Sequence, residues 1–272
     1  MKAAMITGGT SGIGLAIAKG LLEKQYKVHL IGRTSEKGKA IETALNAQYP
    51  GNAKFIQLDL SNVSEVKIFS KQFLENQSKL DVLANVAGVM EPKREITKEG
   101  FEKTFAIGYL SAFVLSTQLA PLLENAPHGR ILNVAGVPSF VFKARVDFED
   151  MEFSANYNSF RTAITTVHAK TVLTEILSKK FASNGIDVNS FHPGAVRSDL
   201  MKNMPWWGLL MGKLLSPFML TTCKTGIYVC SSPEIQGISG KFFKNKKAIN
   251  LDFDTRYKER LWQETEGMIG RV

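Results

Sequence analysis

The chain has 272 residues, 44% of them apolar, and a formal net charge of +9 at pH 7. That length suits one sizeable α/β core, and no Pro, Ser or Gly-rich linker, repeat or low-complexity tract divides it, so a single domain over residues 1–272 is expected. The basic charge is dispersed, with one local cluster at Lys241, Lys244, Lys246 and Lys247 that reads as a solvated face, which leaves nucleic-acid binding without support.

The opening residues run directly into AAMITGG, without the apolar region and cleavage site of a signal peptide, and a cytoplasmic protein is expected. AAMIT reads as a buried strand, GGTSGIG as a turn, and LAIAKGLLEKQ as a helix with apolar residues three and four apart. KVHLIGR is a second apolar run, followed by a polar helical segment and then KFIQLDL. The alternation continues through LDVLANVAG, a helix around Phe105 to Leu123, the strand RILNVAG, a long helical stretch before Gly185, and the strand IDVNSFHPG. Strands that alternate with helices pair in parallel, because a parallel connection needs a crossover. Five or six such strands predict an α/β fold with a doubly wound parallel sheet of Rossmann type, whose ligands bind beyond the strand C-termini.

Further along, the segment from Trp206 to Leu220, WWGLLMGKLLSPFML, is interrupted by glycines, a lysine and a proline and is too short for a clean membrane span. Its tryptophans fit a lid over a bulky apolar ligand, a dimer contact or a peripheral membrane contact. Cys223 and Cys230 are the only cysteines and have no metal-ligand spacing, so free thiols and no metal site are expected.

The glycines Gly8, Gly12 and Gly14 open the first helix after the first strand. Glycine there admits positive φ and lets the backbone approach a pyrophosphate, while the helix N-terminus offers free N–H groups to its charge. At the end of the second strand, where an acid would hold an adenosine ribose, Gly32 is followed by Arg33. Arg33 suits a 2′-phosphate through charge-assisted hydrogen bonds, which favours NADP(H) over NAD(H).

TGGTSGIG, the Asp59-Leu60 pair, NVAG from Asn85 to Gly88, and HPGAVRS from His192 to Ser198 together resemble the short-chain dehydrogenase/reductase superfamily over nearly the whole chain. HPGAVRSDL and the later KTG and RLW pieces look most like its retinol-dehydrogenase-like branch. The resemblance implies NADP(H) held by Gly8, Thr10, Ser11, Gly12, Ile13, Gly14, Arg33 and Thr34, with Asp59 and Leu60 flanking the adenine. It also implies that Asn85, Ala87 and Gly88 form the cofactor floor and that Pro193, Gly194, Val196 and Ser198 hold the nicotinamide carboxamide. Val86 and Ser198 are mild departures from the family pattern. A substrate lid is implied around residues 199–222, and a homo-oligomer is the family habit.

The same resemblance implies hydride transfer assisted by a tyrosine, a lysine, a serine and an asparagine. A phenol is a poor base at neutral pH unless a neighbouring cation stabilises its phenolate. The asparagine position is taken by Gly108 and the serine position by Gly136. The family tyrosine precedes the Pro-Gly pair by about thirty residues, a helix and a strand. Counting back from Pro193 therefore places Ala163 at the tyrosine and Val167 at the lysine.

Tyr157 with Arg161 lies six residues early, roughly 9 Å along a continuous helix and on a different face. That pair would serve only if the helix begins later and Tyr157 folds back over the pocket. Lys170, one turn beyond Val167, is either a surface lysine or a cation that reaches a ribose hydroxyl, and His168 reads as structural. Tyr157 and Lys170 are thus the remaining catalytic candidates, and the pocket is expected to be wider and less polar than the family's.

Three functions stay open: an NADP(H)-dependent oxidoreductase with unconventional proton supply acting on a hydrophobic small molecule, a non-redox enzyme, and a non-catalytic NADP-binding sensor or partner.

Overall fold

A computed structural model describes residues 1–155, 157–196 and 220–272. Its strands are β1 Ala3–Thr7, β2 Lys27–Gly32, β3 Ala53–Gln57, β4 Val82–Asn85, β5 Arg130–Val134, β6 Asp187–His192, β7 Lys241–Lys244 and β8 Lys247–Asn250. These described strands form one sheet in the order β3-β2-β1-β4-β5-β6-β7-β8. All neighbours pair in parallel except the β7–β8 hairpin. The chain winds outward from β1 to β3, then crosses to β4, so strand order reverses between β1 and β4. A crevice at the C-terminal ends of these two strands is the place where such sheets take ligands.

The helices that position this crevice are α1 Gly12–Leu22, α2 Ser35–Asn46, α3 Val63–Asn76, α4 Lys103–Phe105, α5 Ser111–Gln118, α6 Ala120–Glu124, α7 Pro138–Val141, α8 Ser159–Lys180, α9 Lys224–Ser231 and α10 Thr255–Ile269. One apolar cluster, which includes Ile17, Leu21, Leu132 and Phe191, packs on one face of the sheet. The other includes Leu83, Phe105, Leu115, Val172 and Leu173. Burial on both faces explains why the central strands read as continuous apolar runs rather than alternating ones.

Three expectations change. The sheet has eight described strands rather than five or six, and the lysine cluster lies on its edge hairpin, where Lys244, Lys246 and Lys247 are exposed as the solvated face expected of them. Phe242 and Phe243 are buried between the outward-facing lysines and supply the apolar anchor that this strand needs. The expected helix from Phe105 to Leu123 is also interrupted: Ala106–Leu110 forms a π-helical turn, and a break at Leu119 separates α5 from α6. Widened turns of this kind inside α-helices recur at functional sites. Lastly, Asn158 caps α8 by accepting a hydrogen bond from the Arg161 N–H, so the helix starts after Tyr157.

Candidate active site

The glycine turn is built for close approach. Gly8 and Gly12 have φ of +66° and +51°. A Cβ at Gly14 would stand 2.3 Å from the Gly8 carbonyl oxygen, so helix α1 can leave the turn at this angle only with glycine there. The end of β1 is locked to the end of β4 by Thr7, whose hydroxyl oxygen accepts from the Val86 and Ala87 N–H groups at 2.9 and 3.0 Å. Ser11, at the N-cap of α1, makes no side-chain capping bond, which leaves its hydroxyl available at a positive helix end.

These segments open onto a cavity of about 610 Å³. At the glycine end its wall includes Gly8, Thr10, Ser11, Gly12, Ile13 and Gly14, then Arg33, Thr34, Asp59 and Leu60. Ala87, Gly88, Pro193, Gly194 and Val196 also reach it. Asn85 does not join this wall: its side-chain amide is buried and donates to Ser116 and Asn133. Strand alternation turns its side chain away from the cavity, and its carbonyl oxygen accepts from the cavity-lining Lys170 at 3.3 Å. Ser198 and most of the expected lid at 199–222 lie outside the described residues. The donor set fits a phosphorylated dinucleotide, with backbone N–H groups at the turn and the exposed Arg33 guanidinium beyond β2.

At the inner end, Gly108, Gly136, Ala163 and Val167 all line the same cavity. Gly108 sits in the π turn, and a Cβ built on it would meet Thr166 Cγ2 at 2.5 Å. A Cβ on Gly136 would meet Val141 Cγ2 at 3.2 Å and Val167 Cγ2 at 3.5 Å. Neighbouring methyl groups therefore fill part of the space beside both glycines.

Lys170 is the largest departure from expectation. It is 1% exposed rather than a surface lysine, and it lines the cavity from the middle of α8. Its Nζ donates to the carbonyl oxygens of Asn85 at 3.3 Å and Ala87 at 3.5 Å, both long bonds. Burial pushes its ammonium down to about 7. Helix geometry explains the placement, since Lys170 follows Val167 by one turn and shares its face.

Tyr157 behaves differently. It lies on the loop before α8, and its hydroxyl donates to the Glu91 carbonyl at 2.8 Å, while burial and then the neighbouring Glu102 push the phenol upward. It is absent from the cavity wall, and an upward shift makes it a weaker proton donor. His168 is likewise structural: its Nδ1 meets the Val141 carbonyl at 2.7 Å and its Nε2 the Tyr257 hydroxyl at 2.9 Å.

Sequence reasoning missed Thr104, Ile107, Thr166, Phe160 and His192 as lining residues. Thr104 lies four residues before Gly108 and Thr166 three after Ala163 and four before Lys170, a helical spacing that neutral threonines do not announce. Burial lowers His192, and the Thr104 hydroxyl is buried beside Glu102 and Tyr157.

The parallel sheet, the glycine turn and the cavity across the strand-order reversal define a dinucleotide-fold protein, and the short chain dehydrogenase family model matches residues 2–207. The chain belongs to that family, in its retinol-dehydrogenase-like branch. It is 28% identical to mouse retinol dehydrogenase 12, over 99% of this chain and 86% of that protein. It is 27% identical to human polyprenol dehydrogenase, over 99% and 85% respectively. Among solved structures, a putative uncharacterized protein from Mycobacterium paratuberculosis superposes with a TM-score of 0.76 at 22% identity, covering 99% of this chain and 94% of that one. A putative short chain dehydrogenase from Escherichia coli CFT073, solved as an NADPH complex, gives 0.68 at 16% identity over 90% and 97%.

Proposed function

We propose that the protein is an NADP(H)-dependent oxidoreductase acting on a hydrophobic small molecule, with Lys170 in place of the usual tyrosine as the group that exchanges a proton with the substrate oxygen. The observation that carries this reading is the buried Lys170 amine on the wall of the cavity that also holds the glycine turn. The relatives named retinol dehydrogenase and polyprenol dehydrogenase support the substrate class.

Gly8 to Gly14 would bind the pyrophosphate through backbone N–H groups, and Arg33 would pair with a 2′-phosphate. Pro193 to Val196 would hold the nicotinamide end. When bound, the cofactor supplies or accepts hydride. Ala163, Ile164 and Val167 exclude water from that end of the cavity and give an apolar substrate a surface to bury. An amine held near 7 divides between ammonium and neutral amine at physiological pH, which suits it to give a proton in one redox direction and take it in the other. Its two long carbonyl bonds leave one N–H without a described partner and make the held pair easy to exchange.

A second reading, a non-catalytic NADP-binding sensor or partner, is favoured by one observation: none of the described cavity-lining residues is a tyrosine. One experiment separates the two. The purified protein is titrated with NADPH and NADH, and NADPH oxidation is then followed with retinal, farnesal and an enone panel. Binding with turnover supports the oxidoreductase, binding without turnover supports the sensor, and failure to bind either nucleotide refutes both.

A further inference from the structure

Helix α8 carries an apolar stripe that continues past the cavity into solvent. Val167, Ala163 with Ile164, and Phe160 recur three and four residues apart, and all line the cavity. Phe160 is nevertheless 55% exposed, and Val137, which also lines the cavity, is 44% exposed. Beyond them stands Phe140 on α7, 50% exposed and no part of the cavity wall. The Phe140 and Phe160 rings meet edge to face, 5.7 Å apart at 87°. Edge-to-face contact of two half-exposed rings builds a contiguous apolar ledge at the mouth, which a soluble surface does not maintain at random.

We propose that Val137, Phe140 and Phe160 form an outer subsite for the aliphatic tail of a long-chain substrate whose polar head lies inside, beside Lys170. The inference rests on the oxidoreductase reading for the position of the head. Two observations select this occupant. The ledge is continuous with the cavity, since Val137 and Phe160 belong to both. The cavity of about 610 Å³ must also accommodate a whole dinucleotide, so a long substrate has to leave through the mouth. From Lys170 to Phe160 the helix advances roughly 15 Å, so a short chain ends inside and only a longer one reaches Phe140. Phe140 is thereby a chain-length determinant rather than a catalytic residue.

The test uses the full chain saturated with NADPH and the alcohols prenol, geraniol, farnesol and geranylgeraniol as probes, each below its solubility limit, with affinity read by calorimetry. Wild type is expected to tighten by on the order of tenfold per isoprene unit up to farnesol, because each methylene removed from water contributes a severalfold gain. Phe140→Ser is expected to lose most of the gain from geraniol to farnesol while prenol binds as before, and Phe140→Leu is expected to keep it. Equal gains in wild type and Phe140→Ser would overturn the proposal. So would a wild type that gains nothing beyond geraniol. A Phe140→Ser variant that changes only sedimentation mass or flotation with phosphatidylcholine vesicles would also overturn it, by assigning the ledge to a second copy or to a membrane. Failure of NADPH to bind is read separately in the same titrations and bears on the oxidoreductase reading instead.

Discussion

Gly108 and Thr166 occupy one another's space: the Thr166 Cγ2 methyl lies 2.5 Å from where a Gly108 Cβ would be. The space beside Gly108 is filled from the facing helix, so the absence of a side chain there is built into the packing. Thr166 cannot easily turn away, because its hydroxyl donates to the Thr162 carbonyl at 2.8 Å and its β-branch limits rotation.

Gly108→Ala should therefore destabilise the protein by about 1–3 kcal/mol despite the better helix propensity of alanine. Adding Thr166→Ser removes the methyl and keeps the hydroxyl bond, and should recover most of the loss. Denaturant unfolding of the two single variants and the double variant measures the coupling, and strict additivity would show that the two residues do not compete.

Lys170 should leave a mark on stability as well as on activity. Its folded value of about 7 lies below the ordinary lysine value of 10.5. Between those limits the unfolded chain binds the extra proton and the folded one does not, so the stability of the apo protein should rise with pH across that window. Below about 7 the full cost of the buried ammonium is present, on the order of a few kcal/mol. Lys170→Met should be more stable than wild type at pH 6 and should lose the rise between pH 7 and 10, as read from urea midpoints.

His168 should govern the acid limb. Burial lowers it from 6.5 to about 4, and its two ring nitrogens are both occupied, by the Val141 carbonyl and the Tyr257 hydroxyl. The Val146 N–H donates to that same hydroxyl, which leaves the phenol free to donate to Nε2 and fixes His168 as the neutral tautomer protonated at Nδ1. Protonation at Nε2 breaks this arrangement, so stability should fall as pH drops from about 6.5 to 4. His168→Gln should be less stable at neutral pH and less sensitive to acid over that interval. His29, also lowered to about 4 by burial, adds to the wild-type slope but is unchanged in the variant.

Arg33 should set the cofactor preference. Loss of a charge-assisted pair to a 2′-phosphate costs about 1.5–3 kcal/mol, so Arg33→Ala should weaken NADPH by roughly tenfold to a hundredfold and leave NADH nearly unchanged. Fluorescence titration with the two reduced cofactors reads the ratio directly.

Much of the fold was legible because burial on both faces writes the central strands as apolar runs, and because a glycine turn between strand and helix has few other uses. The edge hairpin was not, since a short lysine-rich strand anchored only by Phe242 and Phe243 has the composition of a surface loop. The π turn was hidden for another reason: its residues, Ala106–Leu110, are those of an ordinary helix. Ala163 and Val167, thirty and twenty-six residues before Pro193, lie with Gly108 and Gly136 on one cavity. The burial of Lys170 was illegible, because a lysine in a long helix is usually solvated, and only the position of α8 against the β4 end shows otherwise.

The most direct measurement compares NADPH oxidation, with retinal and farnesal as substrates, in wild type, Lys170→Met and Tyr157→Phe. Lys170→Met should lose on the order of 10²–10⁴ in kcat with NADPH affinity largely kept, and Tyr157→Phe should stay within a few fold of wild type. Turnover abolished by Tyr157→Phe, or undiminished in Lys170→Met, would contradict the proton-exchanging role of Lys170.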